Sequence, residues 1–280
     1  MIQDLLLPIT QTVGDASALT AAVALARATG ARLSVVQPVD LPLPTPSPWG
    51  TTPEIILDGM REELRGLARE HAGHLRERLA GEDIAWDVRV EEALFVEPPR
   101  ALARQARHAD LVLMTAPVQG ADDGAVARAF FSTMLLESGR PVLVVPAHHP
   151  ITLPLRRALV AWKPTREATR ALHDALPLLA EGAMIEVVVV DDSGELDRDE
   201  HPGVAIAAHL ARHGFQASVV ELPCPSGHTV ATALLQRAAQ SDAQLLIAGG
   251  YGHSRLREWI LGGTTRELLQ AIHLPILFAH

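Results

Sequence analysis

At 280 residues the chain is too long for one average domain and fits two of roughly 140 residues each. Apolar residues make up 48% and charged residues 20%, which excludes a disordered chain. A formal charge of −9 excludes nucleic acid or an anionic membrane as the main partner, although backbone N–H groups can still gather an anion locally.

In chain order, the first half predicts strands at about 3–9, 32–37, 84–90, 110–115 and 141–145, with helices at about 15–29, 54–80, 99–108 and 129–138. The second half predicts strands at about 157–162, 184–190, 216–221, 244–248 and 275–279, and helices at about 165–180, 202–213, 227–240 and 264–273. Runs such as LVLM, VLVV, EVVVV and QLLIA are apolar throughout, as parallel strands covered on both faces require. The alternation implies a doubly wound open sheet in each half.

The two halves repeat one layout. DLVLMTAPV (110–118) corresponds to QLLIAGGYG (244–252), RPVLVVP (140–146) to LPILFAH (274–280), and TGARLSVV (29–36) to EGAMIEVV (181–188). Thr115 to Pro141 and Gly249 to Pro275 are each 26 residues apart, so this part aligns without a gap. The boundary falls in AHHPITLP (147–154), which gives domains at 1–147 and 153–280. The last strand of each half (VLVVP and PILFA) is apolar, and an exposed apolar edge invites aggregation, so the halves are expected to cover each other as an intrachain pseudo-dimer. The proline-rich insertion 38–53 reads as a surface loop, because its prolines sustain neither a helix nor an inner strand. The acidic segment 191–200 reads as a solvated loop.

Cys224, the single cysteine, rules out an intrachain disulfide and fits a reducing cytoplasm. No secretory leader is visible, since Asp4 interrupts the first apolar run, and every apolar run is far short of the ~20 residues of a membrane helix. A cytoplasmic protein is expected.

The stretch GGYGHSRLREWILGGTTRELL (249–269) sits between a buried strand and a helix. Ligands of doubly wound sheets bind at the carboxyl ends of strands, where strand order reverses. Gly249, Gly252, Gly262 and Gly263 would let backbone approach a ligand, and Thr264 with Glu267 reads as a capping box opening the last helix. The N–H groups and positive dipole end there favour a phosphate. Arg255 and Arg257 are placed to pair with phosphate or with Glu258, and Tyr251 and His253 to contact a ligand or order the loop. A purely structural loop accounts for the same glycines. The stretch is neither a Walker A loop nor G-x-G-x-x-G.

The layout strand, G-x2-G-x9-G, helix, then a proline-led strand resembles the universal stress protein family over nearly the whole chain, as a tandem pair. The resemblance implies two Rossmann-like α/β domains of the adenine nucleotide alpha hydrolase type, each a five-stranded parallel sheet with helices on both faces. It further implies ATP, with Mg²⁺ held through the phosphates, in the second domain, and Val189, Val190 and Asp191 bordering base and ribose. Gly249, Gly252 and Gly262 match the family's three glycines. Gly263 stands where the family has Ser or Thr, and Lys163, in Trp162-Lys163-Pro164-Thr165, falls where it has an acidic residue and then Gly-Ser. A lysine there can reach a phosphate but accepts no hydrogen bond. In the first half Thr115, Val118, Arg128 and Ala129 occupy the motif positions, so no triphosphate is expected through that loop.

The pairs His209/His213 and His71/His74 each share a helical face, but neither has a clustered third ligand in the sequence, so no metal site is assigned. No nucleophile or general base is identifiable, and no residue is named catalytic; the chain is not expected to be an enzyme. Three readings stay open: an ATP-binding, ligand-responsive stress-response protein with a protein partner; a nucleotide-free interaction module of the same fold, for which Gly263 and Lys163 speak; and an ATP-consuming enzyme, for which the sequence supplies no assignable base.

Overall fold

The computed structural model describes residues 1–280 except 45, 48, 49, 52, 118–120, 148, 192–201, 224–228 and 251–262. In the first half, strand β1 (Asp4–Pro8) leads through α1 (Asp15–Thr29) to β2 (Arg32–Asp40). A short hairpin follows, β3 (Pro46–Ser47) and β4 (Gly50–Thr51), and then α2 (Glu54–Leu79), β5 (Trp86–Ala93), α3 (Pro98–Ala106), β6 (Leu111–Thr115), α4 (Ala121–Glu137) and β7 (Val142–Val145). The second half runs β8 (Leu155–Ala161), α5 (Arg166–Ala175), β9 (Leu179–Asp191), α6 (Val204–Arg212) and β10 (Gln216–Pro223). It closes with α7 (Val230–Gln240), β11 (Leu245–Gly249), α8 (Gly263–Gln270) and β12 (Ile276–Ala279).

Ten strands form one sheet in the order β10-β9-β8-β11-β12-β7-β6-β1-β2-β5. Every neighbouring pair is parallel except β12 and β7, which meet antiparallel with Phe278 opposite Val142, Leu277 opposite Leu143 and Ile276 opposite Val144. Counted outward from that join, both halves place their main strands in the same order: fifth, fourth, first, second, third. The matched segments agree in backbone detail as well. Gly30 and Gly182 both take the left-handed conformation, with φ of 71° and 70°, that spares only glycine a steric penalty. The two apolar terminal strands that an isolated half would expose therefore cover each other.

The sheet is buried on both faces, which explains its unbroken apolar runs: all four residues of β7 and of β12 are inaccessible. One face packs α1, α2, α5 and α6 through residues such as Leu25, Leu79, Leu172 and Leu210. The other packs α3, α4, α7 and α8 through Leu102, Phe131, Leu234 and Leu268. At the join, Phe131 of α4 meets Phe278 of β12 edge to face with ring centroids 5.3 Å apart, so a helix of the first half packs on a strand of the second.

Several elements differ from the sequence-based expectation, among them β9, which starts at Leu179 and not near 184, and the β3–β4 hairpin inside the insertion. Strand β2 runs on through Pro38 to Asp40, into the insertion expected to be loop. Alternate N–H groups of β2 point to opposite neighbours, since Leu33 and Leu41 donate to β5 carbonyls or the residue before them, and Arg32 donates to Gln3. The nitrogen of Pro38 therefore faces the β1 side, beyond the last β1 partner at Pro8, and no ladder bond is lost. Helix α5 ends at Ala175 and not near 180, because Pro177 cannot continue it; one 3₁₀ turn leads directly into β9. Helix α4 starts at Ala121, eight residues earlier than expected, so Arg128 and Ala129 lie well inside a helix. Helix α8 starts at Gly263, so Thr264 is its second residue and not its cap.

Candidate functional site

In the second half the chain winds from β8 outward to β9 and β10, then returns to β11 on the other side of β8. Strand order thus reverses between β8 and β11, whose pairing ends with Ala161 opposite Ala248. Doubly wound sheets take ligands in the crevice at such a reversal, beyond the carboxyl ends of the two strands. Val190, half-buried near the end of β9, is one strand away. Helix α8 begins at this end of the sheet, with Gly263 exposed and Thr264 half-exposed in its first turn. A Cβ placed on Gly263 would meet nothing within 4 Å, so no close packing contact requires glycine at that position.

Of the residues expected to form the site, the fold brings Gly249, Val190, Lys163, Gly263 and Thr264 to one end of the sheet. Gly252, Gly262 and Arg255, with Tyr251, His253 and Arg257, lie outside the described residues. Lys163 is exposed, and its carbonyl accepts a hydrogen bond from the Thr165 N–H at 2.7 Å, which turns the chain into α5. Trp162 is held on the other side, its indole N–H donating to the Pro202 carbonyl at 2.9 Å.

Helix α5 closes the α5 side of the crevice to a ligand. Thr165 caps it, the hydroxyl accepting from the Ala168 N–H at 3.3 Å. Glu167, in the first turn, is buried and accepts from the Arg166 guanidinium at 2.7 Å. Burial works to raise its pKa, but the Arg166 guanidinium, its own backbone N–H and the Thr165 hydroxyl outweigh that, and the carboxyl titrates below the usual glutamate range. The positive end of α5 therefore already holds an anion. The sequence displayed no acidic residue directly after β8, but Glu167 supplies one from the helix; the one cue was a glutamate in a first turn, which is too common to single out.

Gly249 is explained by the same contact. A Cβ there would fall 2.6 Å from the Ala168 nitrogen and 2.9 Å from the Glu167 carbonyl carbon, so the bare strand end is what lets α5 approach. Gly250 likewise admits the first half, since its Cβ would lie 2.5 Å from Leu135 Cδ2 of α4. Both glycines serve packing, whatever else the loop does.

The first half shows the reverse arrangement. Thr115, at the position of Gly249, meets Gly14, whose added Cβ would overlap the Thr115 hydroxyl oxygen. The large residue sits on the strand and the glycine at the helix start. The loop after β1 folds around Asp15, whose carboxylate accepts from the Thr10 N–H (3.1 Å), the Thr10 hydroxyl (2.7 Å) and the Gln11 N–H (2.8 Å). Burial raises the Asp15 pKa against those hydrogen bonds. With α4 running through Arg128, no helix start faces this crevice at the motif position.

A concavity of about 460 Å³ lies at the opposite, amino-terminal end of β1 and β2. In its wall Asp87 accepts from Arg32 (3.1 Å), Ser34 (2.7 Å) and Arg89 (2.7 Å), so that carboxylate is already engaged within the protein. Among the described residues no three His, Cys, Asp or Glu side chains converge as a metal centre, and no helix is long and apolar enough to cross a membrane.

Fold and crevice together define an α/β protein with one large, mostly parallel sheet covered by helices on both faces. No family model matches the chain. Universal stress protein Rv2005c of Mycobacterium tuberculosis is 25% identical over 254 residues, covering 85% of this chain and 81% of that protein. A universal stress protein from Archaeoglobus fulgidus superposes with a TM-score of 0.70 at 16% identity, over 99% of this chain and 97% of its own. A putative universal stress protein from Pseudomonas aeruginosa superposes at 0.55 and 17% identity, over 99% and 93%. Over most of its length the chain is similar to universal stress proteins, in sequence to the first and in fold to the other two.

Proposed function

We propose that the chain is a stress-response protein that binds one ATP in its second domain, residues 153–280, and that the first domain, residues 1–147, is a copy without a nucleotide site. The observation that carries this reading is the start of α8 at Gly263 beside the strand-order reversal between β8 and β11, with G-x2-G-x9-G in the sequence between β11 and α8. The phosphates go to the α8 side, on the N–H groups of Gly263 and Thr264 and on the loop of Gly252, Arg255 and Gly262. The α5 side is filled by Glu167. Lys163, exposed on the loop after β8, reaches the phosphates as a point charge. Val189, Val190 and Asp191 border base and ribose, and Mg²⁺ enters with the phosphates and neutralises their charge. No residue is assigned a catalytic role. ATP acts as a ligand that changes the surface offered to a protein partner in the cytoplasm.

Packing supports a second reading. Because α5 and Leu135 account for Gly249 and Gly250, those two glycines carry no independent argument for a ligand, and a nucleotide-free interaction module keeps them equally. Acid extraction of the purified protein, followed by chromatography and mass spectrometry of the supernatant, separates the two. Adenine nucleotide at close to one equivalent per chain supports ATP binding. No nucleotide before or after incubation with Mg-ATP and desalting supports the interaction module. In the first case Gly263→Ser, which restores the family's hydroxyl, is expected to raise retention.

A further inference from the structure

Helices α5 and α6 lie on the same face of the sheet and bury Leu172 and Leu210 there, which leaves His173 and His209 on the exposed side of the seam. The two imidazoles face each other, Nε2 to Nε2, at 3.2 Å. His173 Nδ1 lies 2.8 Å from the Thr169 carbonyl, one turn back, and a carbonyl only accepts. The proton of a neutral His173 therefore resides on Nδ1, and its Nε2 lone pair points at His209. His213, one turn further on, has its ring 4.5 Å from that of His209. The sequence displayed only the His209/His213 pair; the fold supplies His173 from 36 residues away.

We propose that His173 and His209 form a two-imidazole site for a borderline divalent cation, Zn²⁺ or Ni²⁺ in class. Two nitrogens bound at ~2.0–2.1 Å to a tetrahedral ion lie about 3.3 Å apart, so the observed separation is the one such an ion requires. The backbone carbonyl behind His173 is the usual outer partner of a ligating imidazole, fixing both tautomer and ring orientation. Since no third side chain converges among the described residues, water fills the remaining positions, and binding is exchangeable and not structural. Imidazole nitrogen with no carboxylate ligand selects against Mg²⁺ and Ca²⁺, which take oxygen. A bound ion ties α5 to α6, independently of any nucleotide.

The competing account of the 3.2 Å separation is a plain N–H···N hydrogen bond in which His209 Nε2 keeps its proton. Titration of the metal-free, full-length protein with ZnCl₂, NiCl₂ and MgCl₂, followed by calorimetry and by ¹⁵N signals of the imidazoles, decides between them. The expected result is one Zn²⁺ per chain and concerted shifts of the Nε2 signals of His173 and His209. His173→Gln and His209→Gln should each weaken Zn²⁺ by about tenfold or more. Mg²⁺ should produce no shift, and His108→Gln, in the other half, should leave Zn²⁺ affinity unchanged. His173 is exposed and His209 half-buried at the rim of the seam, so circular dichroism of the variants should match the natural chain. Unshifted Nε2 signals at saturating Zn²⁺, or undiminished affinity in both folded variants, would overturn the assignment.

Discussion

The contact between the end of β11 and the first turn of α5 predicts that Gly249→Ala destabilises the whole chain. The new Cβ would lie 2.6 Å from the Ala168 nitrogen, about 0.8 Å inside the 3.4 Å at which ordinary contact begins. The obstructing atoms are backbone, so no side chain can swing aside, and α5 must move away from the sheet. That movement loosens Ala168, Ala171 and Leu172, all buried. Overpacking of this kind costs about 1–3 kcal/mol. Tilting the helix start also strains the Thr165 cap, whose loss costs about 1 kcal/mol. The expected total is about 2–4 kcal/mol. Urea unfolding followed by circular dichroism measures it, with Gly263→Ala as the control. At Gly263 the added carbon meets nothing, and the variant should be unchanged or more stable by up to about 1 kcal/mol. A Gly249→Ala variant within about 0.5 kcal/mol of the natural chain would refute the packing argument and return Gly249 to the ligand.

Three further outcomes follow from the same structure. In the first half, Gly14→Ala should cost about 1–3 kcal/mol and Thr115→Gly should restore most of it, a coupling that a double-mutant cycle reads directly; simple additivity would contradict the contact. The depressed Glu167 pKa contributes stability that is complete above the ordinary glutamate value of 4.5 and is lost as pH falls through the folded-state value. Glu167→Gln should therefore be less stable at neutral pH and lose less on acidification, and parallel pH profiles for the two proteins would show that the carboxylate does not contribute. Phe278→Ala removes a buried ring edge-on to Phe131 and should cost about 3–5 kcal/mol, with unfolding by calorimetry still a single transition because the halves share one sheet; a cost under about 1 kcal/mol would argue against that packing.

Much of this architecture was legible in the residues. Apolar runs marked the buried parallel strands because both faces are covered, and the matched spacing from Thr115 to Pro141 and from Gly249 to Pro275 carried the doubled layout. The join of β7 with β12 followed from asking what covers two apolar terminal strands. Boundaries were less legible where a proline's effect depends on its neighbours. Pro38 sits harmlessly in β2 because its nitrogen faces past the end of β1, whereas Pro177 stops α5 outright. Thr264 read as a cap, yet α8 begins one residue before it. At the site, the strand-order reversal was legible from topology rules, but the size exchange between Gly249 with α5 and Thr115 with Gly14 was not, since it depends on which helix start abuts which strand end. For the same reason Glu167 and the His173–His209 pair had no signature along the chain.

On the function proposed above, the second half, and not the first, binds ATP at the amino end of α8. The most direct test is calorimetric titration of nucleotide-stripped protein with Mg-ATP, beside a Gly252→Val, Gly262→Arg double variant that imports the first half's motif residues. One ATP per natural chain and none for the variant are expected, with both proteins folded by circular dichroism. No heat from the folded natural chain, or undiminished binding in the variant, would contradict that function.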